Sequence, residues 1–242
     1  MRKLYKKNEL AFSLIMILIY ITFSSLADQL STVMGTAKIF TFPVHLIMSA
    51  VILLFLKKEK LFQKYGLCKS SAPAKKFLYF LPLILISTVN LWSGLTLNFT
   101  VFESILYAGS MLCVGFIEEI VFRGFLFKAM AKDSVKTAVI VSSLTFGTGH
   151  IINLFKGSET NLLPALCQVI YATAVGYLFV IIFHKGKTLI PCILSHSITN
   201  ALSVFADNSL SEGKMLITAS AFLCIVSISY SVCINNVLKK AK

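Results

Sequence analysis

Long apolar stretches, separated by short polar segments, recur along the whole chain. Each is close to the ~20 residues that an α-helix needs to cross ~30 Å of hydrocarbon. Because backbone groups in lipid must hydrogen-bond within their own segment, we expect helices. The pattern predicts an all-α membrane protein, a polytopic bundle of about eight transmembrane helices. The predicted spans are Leu10–Leu26, Ile39–Leu56, Phe77–Leu95, Leu106–Phe127, Ala138–Phe155, Leu162–Phe183, Leu189–Phe205 and Met215–Val237.

The composition excludes an ordinary soluble domain. Hydrophobic residues make up 57% of the 242 residues, charged residues make up 14%, and the mean hydropathy is +0.82. Such values are typical of membrane proteins. The net charge of +13 could suggest nucleic acid, but the basic residues cluster between apolar stretches rather than along one face. We therefore expect the lipid bilayer as a partner and no nucleic acid.

The basic residues are concentrated on one side of the predicted bundle. Of the 23 Lys and Arg, all but Lys38, Lys156 and Lys214 fall at the termini or in alternate connections. The positive-inside rule then predicts a multi-pass cell-membrane protein whose N- and C-termini are both cytoplasmic. The first apolar stretch resembles a signal peptide, but its length favours an uncleaved first helix. We expect a single integral-membrane domain over residues 1–242.

Two adjacent carboxylates lie deep in the fourth predicted span. An ionisable group at the centre of a membrane helix costs roughly 2.5–3.5 kcal/mol on insertion scales. Arg123 follows Glu119 by four residues, so the two side chains share a helix face and are predicted to form an internal ion pair. Glu118 points about 100° away on an ideal helix and therefore needs a partner on another helix, or water.

Two further spans carry polar residues of the same kind. The fifth span contains Phe146 and His150, with Asn153 one turn further, and the seventh contains His196 and Asn200 four residues apart on one face. Costly polar groups on three separate helices are explained most simply by one shared, hydrated cavity. That cavity could be a hydrolytic site, a metal site or a pathway for protons and ions.

The three motifs resemble those of the CPBP intramembrane proteases, also called Abi, a family that includes the type II CAAX prenyl endopeptidases. The resemblance rests on Glu118-Glu119-x-x-x-Arg123, Phe146-x-x-x-His150 and His196-x-x-x-Asn200, in that order. The motifs lie within about 115–200, and the family-like core is expected over about 105–205. The three N-terminal spans, over 10–95, carry no family signature.

The resemblance implies a role for each motif residue. Glu118 would be the general base that activates water, assisted by His150, while His196 and Asn200 would stabilise the oxyanion. Glu119 and Arg123 would hold Glu118 in place. Gly147 and Gly149 stand where the family more often has bulkier residues, which is expected to loosen this helix.

Metal dependence is left open by the sequence. Glu118, His150 and His196 could supply a two-histidine, one-carboxylate site for a divalent ion such as zinc, with an open position for water. A glutamate mechanism without metal uses the same three residues. No other cofactor is expected.

The leading hypothesis is an intramembrane endopeptidase that acts on a peptide or protein substrate, itself either membrane-anchored or free, in a cavity open to the membrane or cytoplasm. The rivals are a non-proteolytic scaffold or bacteriocin-immunity protein of the same fold, and a proton- or ion-coupled transporter. The hypothesis requires helices four, five and seven to meet. At 1.5 Å per residue, Glu118 lies ~15 Å and His196 ~12 Å from the cytoplasmic end, but His150 lies ~21 Å away. The fifth span must therefore start deeper, tilt, or begin with an interfacial turn around AKDSVKT, or the shared cavity fails.

Overall fold

The protein is described here by a computed structural model that covers residues 1–69, 81–92, 94–152, 162–207 and 213–239. All regular elements among these residues are helical, apart from one isolated bridge between Leu95 and Ala206. An eight-residue π-helical segment, Glu119–Leu126, follows α5 directly and continues into α6. The helices are α1 (Arg2–Lys7), α2 (Glu9–Met34), α3 (Thr41–Lys58), α4 (Leu81–Ser87), α5 (Val101–Glu118), α6 (Phe127–Met130), α7 (Val135–Gly149), α8 (Leu162–Gly186), α9 (Ile190–Leu202) and α10 (Gly213–Lys239).

Five helical segments of the described chain are long and apolar enough to cross a membrane, so the chain is an integral membrane protein. The remaining apolar helices are shorter: α9 with its following turn covers Ile190–Phe205, and α7 has 15 residues. The predicted count of eight spans is therefore not confirmed, although the all-helical class is. The five long segments are Glu9–Met34, Thr41–Lys58, Val101–Met130, Leu162–Gly186 and Leu216–Asn236.

Several predicted boundaries are wrong. The first predicted span ends at Leu26, but α2 continues to Met34 and is capped by Gly35, whose positive φ of 70° suits glycine. The third span was extended to Leu95, whereas α4 ends at Ser87. The first helix continues past its apolar stretch because polar residues such as Asp28 and Gln29 can lie within a helix, whereas the third ends early although the apolar pattern continues.

One end of the bundle, which we call the basic end, gathers four of the Lys- and Arg-rich segments. Glu9, at the start of α2, forms ion pairs with Lys64 after α3 (2.8 Å) and with Lys132 between α6 and α7 (3.0 Å). The backbone N–H of Leu189, in the connection between α8 and α9, donates to the Gly66 carbonyl at 2.8 Å. The predicted grouping of these segments on one side is therefore present in the fold.

The Lys64 ammonium is held in place at this end by two acceptors. It donates to the Glu9 carboxylate and to the Tyr5 hydroxyl at 2.6 Å. Burial lowers the pKa of Lys64, but these hydrogen bonds outweigh burial and leave the pKa above its ordinary value. Lys64 is therefore charged at neutral pH, and α1, α2 and the segment after α3 stay linked.

The opposite end of the bundle, the far end, carries its own polar contacts. Lys38, between α2 and α3, forms an ion pair with Asp28 at 2.7 Å. The N–H of Ala37 donates to Glu103 at 3.1 Å, and Glu103 also completes a capping box with Thr100 at the start of α5. These contacts fix the ends of α2, α3 and α5 relative to one another.

Candidate active site

Glu118 lies at the junction between α5 and the π-helical segment, where its side chain is only 13% exposed. Its Oε1 accepts a hydrogen bond of 2.5 Å from the Tyr20 hydroxyl of α2. Its Oε2 lies 3.5 Å from His196 Nε2 of α9. Glu118 has no partner on its own helix and instead contacts Tyr20 of α2 and His196 of α9, as expected from its position in the sequence.

Glu119 and Arg123 form the predicted internal ion pair within the π-helical segment. Both side chains are fully buried, and Arg123 Nη1 donates to Glu119 Oε1 at 2.9 Å. The guanidinium lies over the Phe146 ring, with Cζ 3.9 Å from the ring centroid. Glu119 Oε2 and Arg123 Nε and Nη2 find no hydrogen-bond partner among the described residues. The pair is therefore stabilised mainly by charge neutralisation and by the contact with the Phe146 ring, because its hydrogen bonding is incomplete.

His196 connects the two carboxylates. Its Nδ1 lies 2.8 Å from Glu119 Oε1, and its Nε2 faces Glu118. Because an ionised carboxylate only accepts hydrogen bonds, Nδ1 must carry a proton. Glu119 therefore fixes the orientation of the imidazole and leaves Nε2 facing Glu118.

His150 follows the last residue of α7 and is oriented by the backbone of that helix. Its Nδ1 lies 3.0 Å from the Phe146 carbonyl oxygen, so Nδ1 donates and the neutral ring has its lone pair on Nε2. The Phe146 ring makes edge contacts with His150 at 5.0 Å and with His196 at 5.6 Å between ring centroids. Phe146 thus fixes the position of both imidazoles as well as the Arg123 guanidinium.

A cavity of about 610 Å³ joins the predicted residues. The geometric requirement on the fifth span is met by a turn: residues 131–133 are in turn conformation, Ser134 caps α7 at Val135, and the helix brings His150 to the cavity. Glu119 and Arg123 lie behind the wall, and Asn153 lies outside the described residues. The predicted residues that line the cavity are Glu118, Phe146, His150, His196 and Asn200.

Two glycines allow the helices around the site to approach closely. A Cβ on Gly115 of α5 would lie 2.4 Å from Ser197 Oγ and 2.6 Å from its Cα in α9, next to His196. A Cβ on Gly147 of α7 would lie 2.8 Å from the Val169 carbonyl oxygen of α8. Gly147 therefore serves close helix packing rather than the expected loosening, whereas a Cβ on Gly149 would meet nothing within 4 Å.

The N-terminal spans contribute residues that the sequence reasoning missed. Tyr20, Ser24 and Asp28 of α2 line the cavity, as does His45 of α3. His45 is hydrogen-bonded on both nitrogens, to Ser24 and Ser110 at 2.9 Å each. The signal available in the sequence was the four-residue spacing of Tyr20, Ser24 and Asp28, which places them on one helix face. Asp28 lies beyond the predicted first span, which ends at Leu26, so the hydropathy pattern does not reveal this polar face.

The donor set does not fit a resident metal ion in this conformation. Within the described parts of the chain, no group of three or more His, Cys, Asp or Glu side chains converges as metal ligands. Glu118, His150 and His196 share the cavity without forming such a group. No step of the chemistry below is therefore routed through a metal.

Comparison with known proteins supports the resemblance in the C-terminal half of the fold. The model of the family described as type II CAAX prenyl endopeptidase Rce1-like matches residues 100–202, a little over two fifths of the chain. This is a protease family, and the match is consistent with a CPBP family protease. No curated protein and no solved structure matches the chain. The matched region contains all three motifs, whereas Tyr20 and the rest of the α2 wall lie outside it.

Proposed function

We propose that the protein is an intramembrane endopeptidase in which Glu118 activates a water molecule for attack on a peptide bond. The observation that carries the proposal is the cavity wall, which combines Glu118, His150, His196 and Asn200 inside a bundle of membrane-spanning helices. The family match over residues 100–202 supports the same class of reaction.

The proposed first step is removal of a proton from water by the Glu118 carboxylate. Tyr20 donates to Oε1 and holds the group, which leaves Oε2 to accept the proton. The His150 lone pair on Nε2 assists by accepting a hydrogen bond from the same water. The water oxygen then bonds to the carbonyl carbon, and the C=O electron pair moves to the oxygen to form a tetrahedral oxyanion.

The second step depends on donors that face the oxyanion. We propose that His196 acts with protons on both nitrogens, so that Nδ1 donates to Glu119 and Nε2 donates to the oxyanion beside the Asn200 amide. The Glu119 carboxylate and the oxyanion are then balanced by Arg123 and by imidazolium, which suits a buried cluster. Fixed donors of this kind are worth about 3–4 kcal/mol each. Collapse breaks the C–N bond, and the proton held by Glu118 passes to the leaving amine.

The substrate class proposed is a peptide or protein that reaches the membrane. The family name refers to prenylated CAAX peptides, but this chain's own residues select no particular sequence. Glu119 and Arg123 act as positioning residues, through His196. A transporter is less well supported, because the aromatic side chains between the cavity and the basic end are at most 8% exposed; they are Phe12, Phe55, Tyr65 and Phe125.

The test is cleavage of a proteome-derived peptide library by the purified protein in lipid nanodiscs, with new termini identified by mass spectrometry. Glu118→Gln and His150→Ala are expected to abolish the new termini. Asp133→Asn, an exposed carboxylate between α6 and α7, is the matched control and is expected to cleave like the wild type. Cleavage by Glu118→Gln at the wild-type rate would contradict the proposal, and a cellular phenotype that survives Glu118→Gln would favour the scaffold role.

A further inference from the structure

The cavity extends from Glu118, His150 and His196, which we call the catalytic cluster, towards only one end of the bundle. On α2 its wall runs from Tyr20 through Ser24 to Asp28, a rise of about 12 Å away from the basic end. On α5 the wall runs from Glu118 back to Tyr107, a rise of about 16 Å in the same direction. The wall on α9 continues in this direction from His196 to Ser203.

The opposite side of the cluster is filled by aromatic side chains. Phe12, Phe55, Tyr65 and Phe125, which we call the aromatic layer, lie between the cluster and the basic end and are at most 8% exposed. Their rings contact one another, with centroids 5.0 Å apart for Tyr65 and Phe125 and 5.1 Å apart for Phe12 and Phe125. None of the four lines the cavity.

The wall becomes more polar and more exposed towards the far end. Asp28 and Lys38 are 30% and 20% exposed at their side chains, against 13% for Glu118. Tyr107 and Ser203 lie on the same part of the wall, with their oxygens 3.4 Å apart. A change from an apolar, buried layer to partly exposed ionic groups is the expected environment of an aqueous entrance.

We propose that water and substrate reach Glu118 from the extracytoplasmic side of the membrane, through the Asp28–Lys38 end of the cavity. The far end is opposite the Lys- and Arg-rich segments, which the positive-inside rule predicts to be cytoplasmic. This entrance replaces the opening to the cytoplasm that was expected from the sequence. The substrate class is then an exported peptide, or the outward-facing segment of a membrane protein. This substrate class rests on the proposed function, whereas the side of entry does not.

Cysteine accessibility in intact bacterial cells tests the side of entry without reference to activity. Ser203→Cys places a thiol on the cavity wall, Met34→Cys places one at the far end on a residue that is 63% exposed, and Lys58→Cys places one at the basic end. The reagent is a membrane-impermeant methanethiosulfonate sulfonate, and the wild-type protein with its six native cysteines gives the background.

The expected result is modification of Ser203→Cys and Met34→Cys in intact cells, and of Lys58→Cys only after permeabilisation. The proposal is overturned if Ser203→Cys needs permeabilisation, or if it stays unmodified while Met34→Cys reacts. Modified Ser203→Cys should also lose at least tenfold in cleavage rate, with modified Met34→Cys unaffected. If the three cysteine variants are modified as expected but the protein cleaves no peptide, the peptidase assignment is refuted and the proposed side of entry is still supported.

Discussion

Removal of the Arg123 guanidinium should destabilise the fold far more than removal of an exposed positive charge. Arg123 and Glu119 are both fully buried and are joined by a 2.9 Å hydrogen bond. Two unit charges about 4 Å apart attract by about 4 kcal/mol at an effective dielectric constant of about 20. Arg123→Met leaves the Glu119 carboxylate buried with His196 as its remaining partner, so we expect a loss of about 3–5 kcal/mol in the free energy of unfolding.

A double-mutant cycle separates the charge from the packing. Glu119→Gln with Arg123→Met removes both charges while keeping an acceptor for His196, so the double variant should be more stable than Arg123→Met alone by at least about 1 kcal/mol. Unfolding by SDS in mixed micelles, followed by the fluorescence of the single tryptophan, Trp92, measures each difference. Lys58→Met, an exposed change at the end of α3, should stay within about 0.5 kcal/mol of the wild type.

Two outcomes would refute this reasoning. If Arg123→Met unfolds within about 1 kcal/mol of the wild type, the buried charge is compensated by other groups. If the double variant loses the sum of the two single losses, Glu119 and Arg123 do not stabilise each other. In either case the explanation given for two adjacent carboxylates within a membrane helix fails.

Three further predictions concern the site. Gly147→Ala should destabilise the protein by about 1–3 kcal/mol because the added Cβ meets the α8 backbone. Gly149→Ala, where the added Cβ meets nothing within 4 Å, should be neutral or slightly stabilising. The SDS titration described above measures both differences. Tyr20→Phe removes the hydroxyl that donates to Glu118, so kcat should fall about ten- to a hundredfold with KM unchanged, consistent with a charged hydrogen bond worth about 1.5–3 kcal/mol. An unchanged kcat would exclude Tyr20 as a positioning residue. Treatment with 1,10-phenanthroline or EDTA should leave the cleavage rate unchanged, and a loss reversed by zinc would show a metal-dependent reaction.

The sequence alone was sufficient to predict the class of the fold and most residues of the candidate site. Long apolar stretches require helices because lipid offers the backbone no hydrogen-bond partners. The cost of charge in the membrane made Glu118, Glu119 and Arg123 conspicuous, and their spacing along one helix predicted the ion pair. His150 and His196 stood out for the same reason, since a polar side chain in an apolar helix needs a partner.

Only the tertiary structure decided which groups meet. The Tyr20 hydroxyl lies 98 residues before Glu118, and no local spacing relates them. The sequence also could not show that Glu119 is shared by Arg123 and His196, because that contact depends on how closely α9 approaches α5 at Gly115. Local periodicity determines the helix face on which a side chain lies. The residues that this face contacts depend on how whole helices pack. The same packing determines the end of the bundle towards which the cavity extends.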